Sequence, residues 1–129
     1  MFWVERVVFY MKWSFTKFDD YCIINLPKDV FEKENIDKLK SLMEELSDDG
    51  SKTFLLNMGQ LSKINDVGLG MILGLYKFSF YHEISIRLYN LQAYVSQLIF
   101  QTRLNIIFDI CELDDEMLTR RESKAALVA

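Results

Sequence analysis

Few side chains here have the type and spacing that chemistry requires, and those that do point to docking rather than reaction. The one histidine, His82, falls in a predicted helix-to-strand turn beside Glu83, with no nucleophile placed to use it as a base. Its plain reading is a solvated turn residue. The two cysteines, Cys22 and Cys111, lie far apart in apolar runs, where a thiol behaves as a small hydrophobe. With a single histidine they offer neither a zinc-ligand spacing nor a disulfide framework. The expectation is no catalytic residue, no metal and no cofactor. Gly68, Gly70 and Gly74 are spaced G-x-G-x-x-x-G after the third predicted strand, whereas a dinucleotide fingerprint is G-x-G-x-x-G directly after the first. Close helix packing accounts for them better, and a small enzyme or nucleotide-binding protein is the least supported function.

The sharpest candidate is the segment Lys63-Ile64-Asn65-Asp66-Val67-Gly68-Leu69-Gly70-Met71-Ile72-Leu73. A polar loop enters an apolar helix at Asp66, whose carboxylate is expected to accept from free backbone N–H groups of the first turn, a cap worth about 1 kcal/mol. The helix dipole favours any negative group at the same end. Val67 and Leu69 supply apolar contact and Gly68 allows close backbone approach. Asn65, Asp66, Val67, Gly68 and Leu69 are therefore the expected partner-binding residues. Ser62 is a loop hydroxyl that a kinase could modify, although a lone loop serine is more often solvent-facing polarity.

These residues must be positioned by one domain, since 129 residues leave no room for a second. Half the residues are apolar and 26% are charged, a globular composition rather than a disordered one. Lys plus Arg number 15 against 19 Asp plus Glu, a formal net charge of −4, so the electrostatic footprint of nucleic-acid binding is missing. Unpaired thiols suit a reducing compartment. No apolar run approaches the roughly 20 residues that span a bilayer, and Glu5 and Arg6 interrupt the stretch where a secretory signal would be apolar. A cytoplasmic, unprocessed chain without membrane insertion is expected.

Trp13, Phe15 and Phe18 alternate with polar residues, Asp19-Asp20 makes a turn, and Tyr21 to Leu26 forms a continuous apolar strand, together a hairpin. Pro27 ends that strand because it cannot donate to a ladder. Asp29, with Glu32 three residues on, predicts a capping box opening a helix. Ile36, Leu39, Leu42, Met43 and Leu46 then recur at helical spacing, opposite Lys38, Lys40, Glu44 and Glu45, until Asp49-Gly50 stops the helix. Thr53 to Met58 reads as a buried strand and Gly59 to Asn65 as a loop. The helix from Asp66 is apolar on nearly every face, so it must be covered on more than one side or used as an interface. Ile84 to Tyr89 is a strand, Ala93 to Thr102 a helix with Val95, Leu98 and Ile99 on one stripe, Ile106 to Ile110 a final strand, and Asp114 to Ala126 a terminal helix. Strands alternating with helices imply an α/β fold: a mixed, mostly parallel sheet with an antiparallel first strand and about four helices.

Asn65-Asp66-Val67-Gly68-Leu69-Gly70 resembles the D-S-S-G-L-G hallmark of the STAS domains of the anti-sigma factor antagonist family. The likeness runs from about Met11 to the C-terminus: Thr53 to Met58 leads into the loop, Met71-Ile72-Leu73-Gly74-Leu75-Tyr76-Lys77 continues the helix, and Val95, Leu98, Ile99, Thr102 and Leu104 match a V-x-x-L-L-x-x-T-G-L pattern. The resemblance implies the same STAS-like fold and a protein partner. In that family the first hallmark serine is phosphorylated by a kinase that is also the anti-sigma factor, and the unphosphorylated domain binds that partner to free the sigma factor, a partner switch in transcription regulation. That serine falls on Asp66, its preceding aspartate on Asn65 and the second serine on Val67. A phosphoserine carries about −1.5 to −2 charge at pH 7, so Asp66 holds part of that charge permanently, and a serine kinase has nothing there to modify. The competing reading is a helix cap in a divergent binding domain.

Other positions depart from the family pattern. Its early G-x-x-D turn falls on Asp29-Val30-Phe31-Glu32, without glycine; its glycine before the fourth strand is replaced around His82-Glu83; and its glycine before Leu104 is Arg103, which tolerates φ > 0 poorly. The resemblance implies an anti-sigma factor antagonist, with a STAS accessory domain of a transporter or signalling scaffold as the alternative. A neighbouring gene for a kinase-like anti-sigma factor, or for a transporter, separates the two. Residues 1–10 precede the family-like domain of residues 11–129 and are rich in apolar side chains such as Phe2, Trp3, Val4, Phe9 and Tyr10. They read equally as an added strand or homo-oligomer contact and as an over-extended start before Met11. Phe78, Phe80 and Tyr81 end the second helix; core filling is the default, and an interface follows if they face solvent.

Overall fold

The computed structural model describes residues 14–111. The extension over residues 1–10, the alternative start at Met11, Trp13 and the helix expected over Asp114 to Ala126 lie outside the described residues. The elements run β1 (Ser14–Lys17), β2 (Tyr21–Asn25), α1 (Lys33–Asp48), β3 (Thr53–Asn57), α2 (Asp66–Tyr81), β4 (Ser85–Tyr89), α3 (Ala93–Gln101), α4 (Leu104–Ile107) and β5 (Asp109–Cys111). The five strands form one sheet in the order β1-β2-β3-β4-β5; β1 pairs antiparallel with β2 and the remaining pairs are parallel. This is the mixed, mostly parallel α/β architecture expected from the alternation of elements.

Period-two alternation divides each strand between the two sheet faces. Cys22 and Ile24 of β2, Phe54 and Leu56 of β3, and Ile86 and Leu88 of β4 join the main core. Against them pack Ile36, Leu39, Leu42, Met43 and Leu46 of α1, Ile72 and Leu75 of α2, and Val95 and Ile99 of α3. The α1 stripe is the one its sequence spacing predicts. On the reverse face Phe18, Ile23, Leu55 and Tyr89 make a smaller buried cluster, where Phe18 and Tyr21 stack with ring centroids 4.5 Å apart. Burial pushes the Cys22 thiol up to about 12, against the opposing pull of Lys17. A thiol so protonated is a packing group, not a nucleophile.

Three local expectations are corrected. The capping box at Asp29 and Glu32 does not form. Val30 is fully buried and draws the preceding residues into a turn, with its N–H bonded to the Pro27 carbonyl at 3.2 Å. Helix α1 therefore starts only at Lys33, and its N-cap, Glu32, makes no side-chain cap bond. The strand expected over Ile106 to Ile110 is shorter. Leu104 and Phe108, four residues apart and both buried, fold the chain into the helical turn α4, with the Phe108 N–H on the Leu104 carbonyl at 2.9 Å, which leaves Ile106 71% exposed. Helix packing likewise explains only Gly68 among the three spaced glycines: a Cβ on Gly70 would meet nothing within 4 Å, and one on Gly74 only the Lys40 ammonium at 4.0 Å.

The helix ends show how the missing glycines are replaced. At the end of α1, Gly50 adopts φ 108°, while the N–H groups of Gly50 and Ser51 reach the carbonyls of Ser47 and Leu46 at 3.0 and 2.9 Å. This is a Schellman closure. Helix α2 closes with the same pair of bonds, Glu83 to Phe80 at 3.3 Å and Ile84 to Ser79 at 3.0 Å, but with Glu83 at φ 55°. Arg103 takes φ 60° after α3. The left-handed geometry is kept at both positions at the expense of Cβ strain.

Replacing Glu83 or Arg103 by glycine is expected to raise stability by about 0.5–1 kcal/mol, because relief of left-handed strain exceeds the added unfolded-state entropy; the denaturation midpoint reads the change. The Ser51 hydroxyl is buried without a hydrogen-bond partner. Ser51→Ala is expected to stabilise the fold by about 1 kcal/mol in the same measurement.

Candidate docking site

Parallel pairing brings the C-terminal ends of β2, β3 and β4 to one edge of the sheet, and the loop of residues 59–65 crosses that edge between β3 and α2. Leu61 and Ile64 are buried and anchor the loop in the core, while Ser62 and Lys63 between them are exposed. The loop thus has a fixed inner side and a polar outer side.

At its end, Asn65 stands in extended backbone, φ −90° and ψ −179°, and its Oδ1 accepts the Gly68 N–H at 2.8 Å. The N-cap is therefore Asn65, one residue before the expected Asp66. Asp66 has already entered the helix as its first residue, so it lies past the position from which a side chain caps. Its carboxylate remains exposed at the positive end of the α2 dipole, where negative charge is favoured.

The five expected contact residues lie together but differ in what they offer. Val67 is 63% exposed, large for an aliphatic side chain. Asn65 and Asp66 are exposed and Leu69 is half-buried. Gly68 is buried; a Cβ there would lie 2.8 Å from Ile64 Cγ2 and 3.4 Å from Phe31 Cδ2. The absence of a side chain at Gly68 thus lets the first turn of α2 sit against its own loop. Tyr94, in the first turn of α3, is 56% exposed at the same edge of the sheet, and sequence reasoning did not single it out. Its only signal was an aromatic lying off the Val95–Ile99 stripe.

The remaining candidates do not assemble a reaction centre. His82 is exposed beyond the end of α2, with its ring 4.2 Å from that of Phe78. Cys22 is buried, Cys111 is half-buried, and both are free. Among the described residues no group of three or more His, Cys, Asp and Glu could hold a metal ion, and no helix is long and apolar enough to cross a membrane. Of the aromatics ending α2, Phe78 packs against the core as its default has it, whereas for Phe80 and Tyr81 the default is corrected: they are 75% and 83% exposed, because Ile72, Leu75 and Ser79 already occupy the core-facing stripe.

The profile of the STAS domain family matches residues 12–124, and the chain belongs to this family. No curated protein matches it in sequence. Among solved structures, the fold is similar to the unphosphorylated form of the anti-sigma factor antagonist SpoIIAA, with 14% identity, a TM-score of 0.62 and coverage of 86% of this chain and 96% of that one. It is also similar to a Moorella thermoacetica RsbS variant in which a serine is replaced by glutamate, with 11% identity, a TM-score of 0.63 and coverage of 89% and 98%. A third likeness is to the murine anion transporter Slc26a9, with 16% identity, a TM-score of 0.55 and coverage of 74% of this chain but 16% of the transporter. Structural neighbours of the fold thus include anti-sigma factor antagonists.

The cap assignment separates two neighbouring residues. Asn65→Ala is expected to cost about 1 kcal/mol through loss of the bond to the Gly68 N–H, whereas Asp66→Ala costs less than half as much; denaturant unfolding of the two variants checks the difference.

Proposed function

We propose that this chain is a non-catalytic regulator of the anti-sigma factor antagonist type. It docks on a protein partner through Asn65, Asp66, Val67 and Leu69, with Gly68 seating the first helical turn. The partner is an anti-sigma factor of the serine-kinase type or a related regulator. By its resemblance to the family, the phosphorylated position falls on Asp66, so the docking surface carries a fixed negative charge that a serine kinase cannot add or remove.

The observation that carries this reading is the exposure of the Asp66 carboxylate on the first residue of α2, beside the exposed Val67. A residue needed only as a cap would occupy the preceding position, and Asn65 already fills it. The carboxylate is therefore surplus to helix closure and available to a partner. Val67 stands where the family pattern has a second serine. It adds an apolar side chain beside the charge, and such a pairing favours a partner with a basic group next to an apolar pocket.

The test uses a purified kinase-type anti-sigma factor from the same genome. The natural chain is expected to bind it and to take up no phosphate from ATP, whereas Asp66→Ser is expected to become phosphorylated. Val67→Asp is expected to weaken binding by about tenfold or more, as loss of a central apolar contact does. Phosphate on the unmutated chain, at Ser62 for instance, contradicts the proposal, as does binding indifferent to both substitutions.

A further inference from the structure

The edge of the sheet beneath the docking loop holds a chain of side-chain amides that neither the core nor the proposed contact surface requires. Asn57, the last residue of β3, donates through Nδ2 to Asn25 Oδ1 at 2.8 Å, and Asn25 in turn donates to Ser14 Oγ at 2.9 Å. On its other side Asn57 Oδ1 accepts twice, from the Gly59 N–H and from Asn90 Nδ2, both at 3.0 Å. Gln92 Nε2 donates to the Gly59 carbonyl at 2.6 Å. Both polar groups of the Gly59 residue are thus held by side chains from β3 and from the β4–α3 connection. The space beside it is filled as well, since a Cβ on Gly59 would collide with Asn90 Nδ2. Asn90 has φ 59°, a left-handed conformation that asparagine tolerates better than most residues.

Gly59 is the first residue of the loop whose far end is the docking segment. Between them, the buried Leu61 and Ile64 leave the loop little freedom to absorb a shift at its start. We propose that Asn57 and Asn90 are positioning residues for this loop: by closing on Gly59 they set where Asn65 to Leu69 is presented, and partner affinity depends on them. The inference rests on the docking function proposed above. Its physical basis is the cost of loosening: without the Asn57 oxygen, the Gly59 N–H and the Asn90 amide both lose their acceptor, and the loop start gains conformations that binding must remove.

Three variants and two readouts test it. Asn57→Ala removes both acceptor bonds. Asn57→Asp keeps them, and the Asn25 amide, turned over, can donate to the new carboxylate. Asn25→Ala breaks the same amide chain on the side away from Gly59. Hydrogen exchange of residues 59–65 is measured on the free proteins, and affinity is measured with the purified kinase-type anti-sigma factor. Asn57→Ala is expected to speed loop exchange and to weaken binding, each by about tenfold. Asn57→Asp is expected to remain within about threefold of the natural chain, and Asn25→Ala within about twofold, whatever they do to global stability. Loop exchange unchanged in Asn57→Ala, failure of the aspartate to restore it, or an equal effect of Asn25→Ala overturns the proposal. If the natural chain does not bind the anti-sigma factor, the docking function falls, and loop exchange alone decides the positioning role.

Discussion

Parallel pairing of β3 between β2 and β4 is the constraint on which the rest of this molecule depends. Parallel strands cannot be joined by a tight turn, so the chain leaves each of them at the same edge and returns through a helix. That requirement places α1, α2 and α3 after β2, β3 and β4 in turn. It also delivers the loop before α2, the start of α2 and the start of α3 to one rim. The rim is where ligands meet open α/β sheets in general, and here it carries an exposed carboxylate, exposed apolar side chains and a row of amides.

Polar bonds and apolar anchors act on the same short stretch of the rim. Leu61 and Ile64 hold the loop by burial, Asn65 closes the helix behind it, and Gly68 allows Ile64 to fit beneath the first turn. A surface held in this way, if it is the docking surface proposed, loses little freedom on binding, so more of its contact energy survives as affinity. Much of the exposed face of α2 is apolar as well. Beyond Val67, the exposed side chains of α2 include Leu73, Tyr76, Phe80 and Tyr81.

Backbone strain is tolerated where topology demands it. Glu83 and Arg103 hold left-handed conformations that suit glycine, because each closes a helix whose following residue, Ile84 or Leu104, must be buried. The core sets the direction of the chain, and the local cost is borne at the turn. The same logic moved the start of α1: burial of Val30 outweighed the capping pattern of Asp29 and Glu32.

Much of the fold was legible in the order of residues, since long periodic stripes report directly on burial. The α1 stripe, the alternation in β4 and the hairpin at Asp19-Asp20 all follow from period and turn chemistry. So did the STAS resemblance and the placing of Asp66 at a helix start, which rest on a contiguous motif. Short segments were not legible, because their state depends on partners distant in the chain. Ile106 and Ile107 read as strand until Leu104 and Phe108 are seen to need the same core, and Phe80 and Tyr81 read as core until other residues are seen to fill it. The sequence by itself determined the alternation of strands with the three longer helices, the charge at the loop and the absence of a recognisable catalytic motif. Only the tertiary structure decided that Asn65 rather than Asp66 caps α2, a choice set by where the buried Ile64 lets the helix begin, and that Asn57 and Asn90 meet beside Gly59, because hydrogen bonds between separate strands depend on register, which no local pattern encodes.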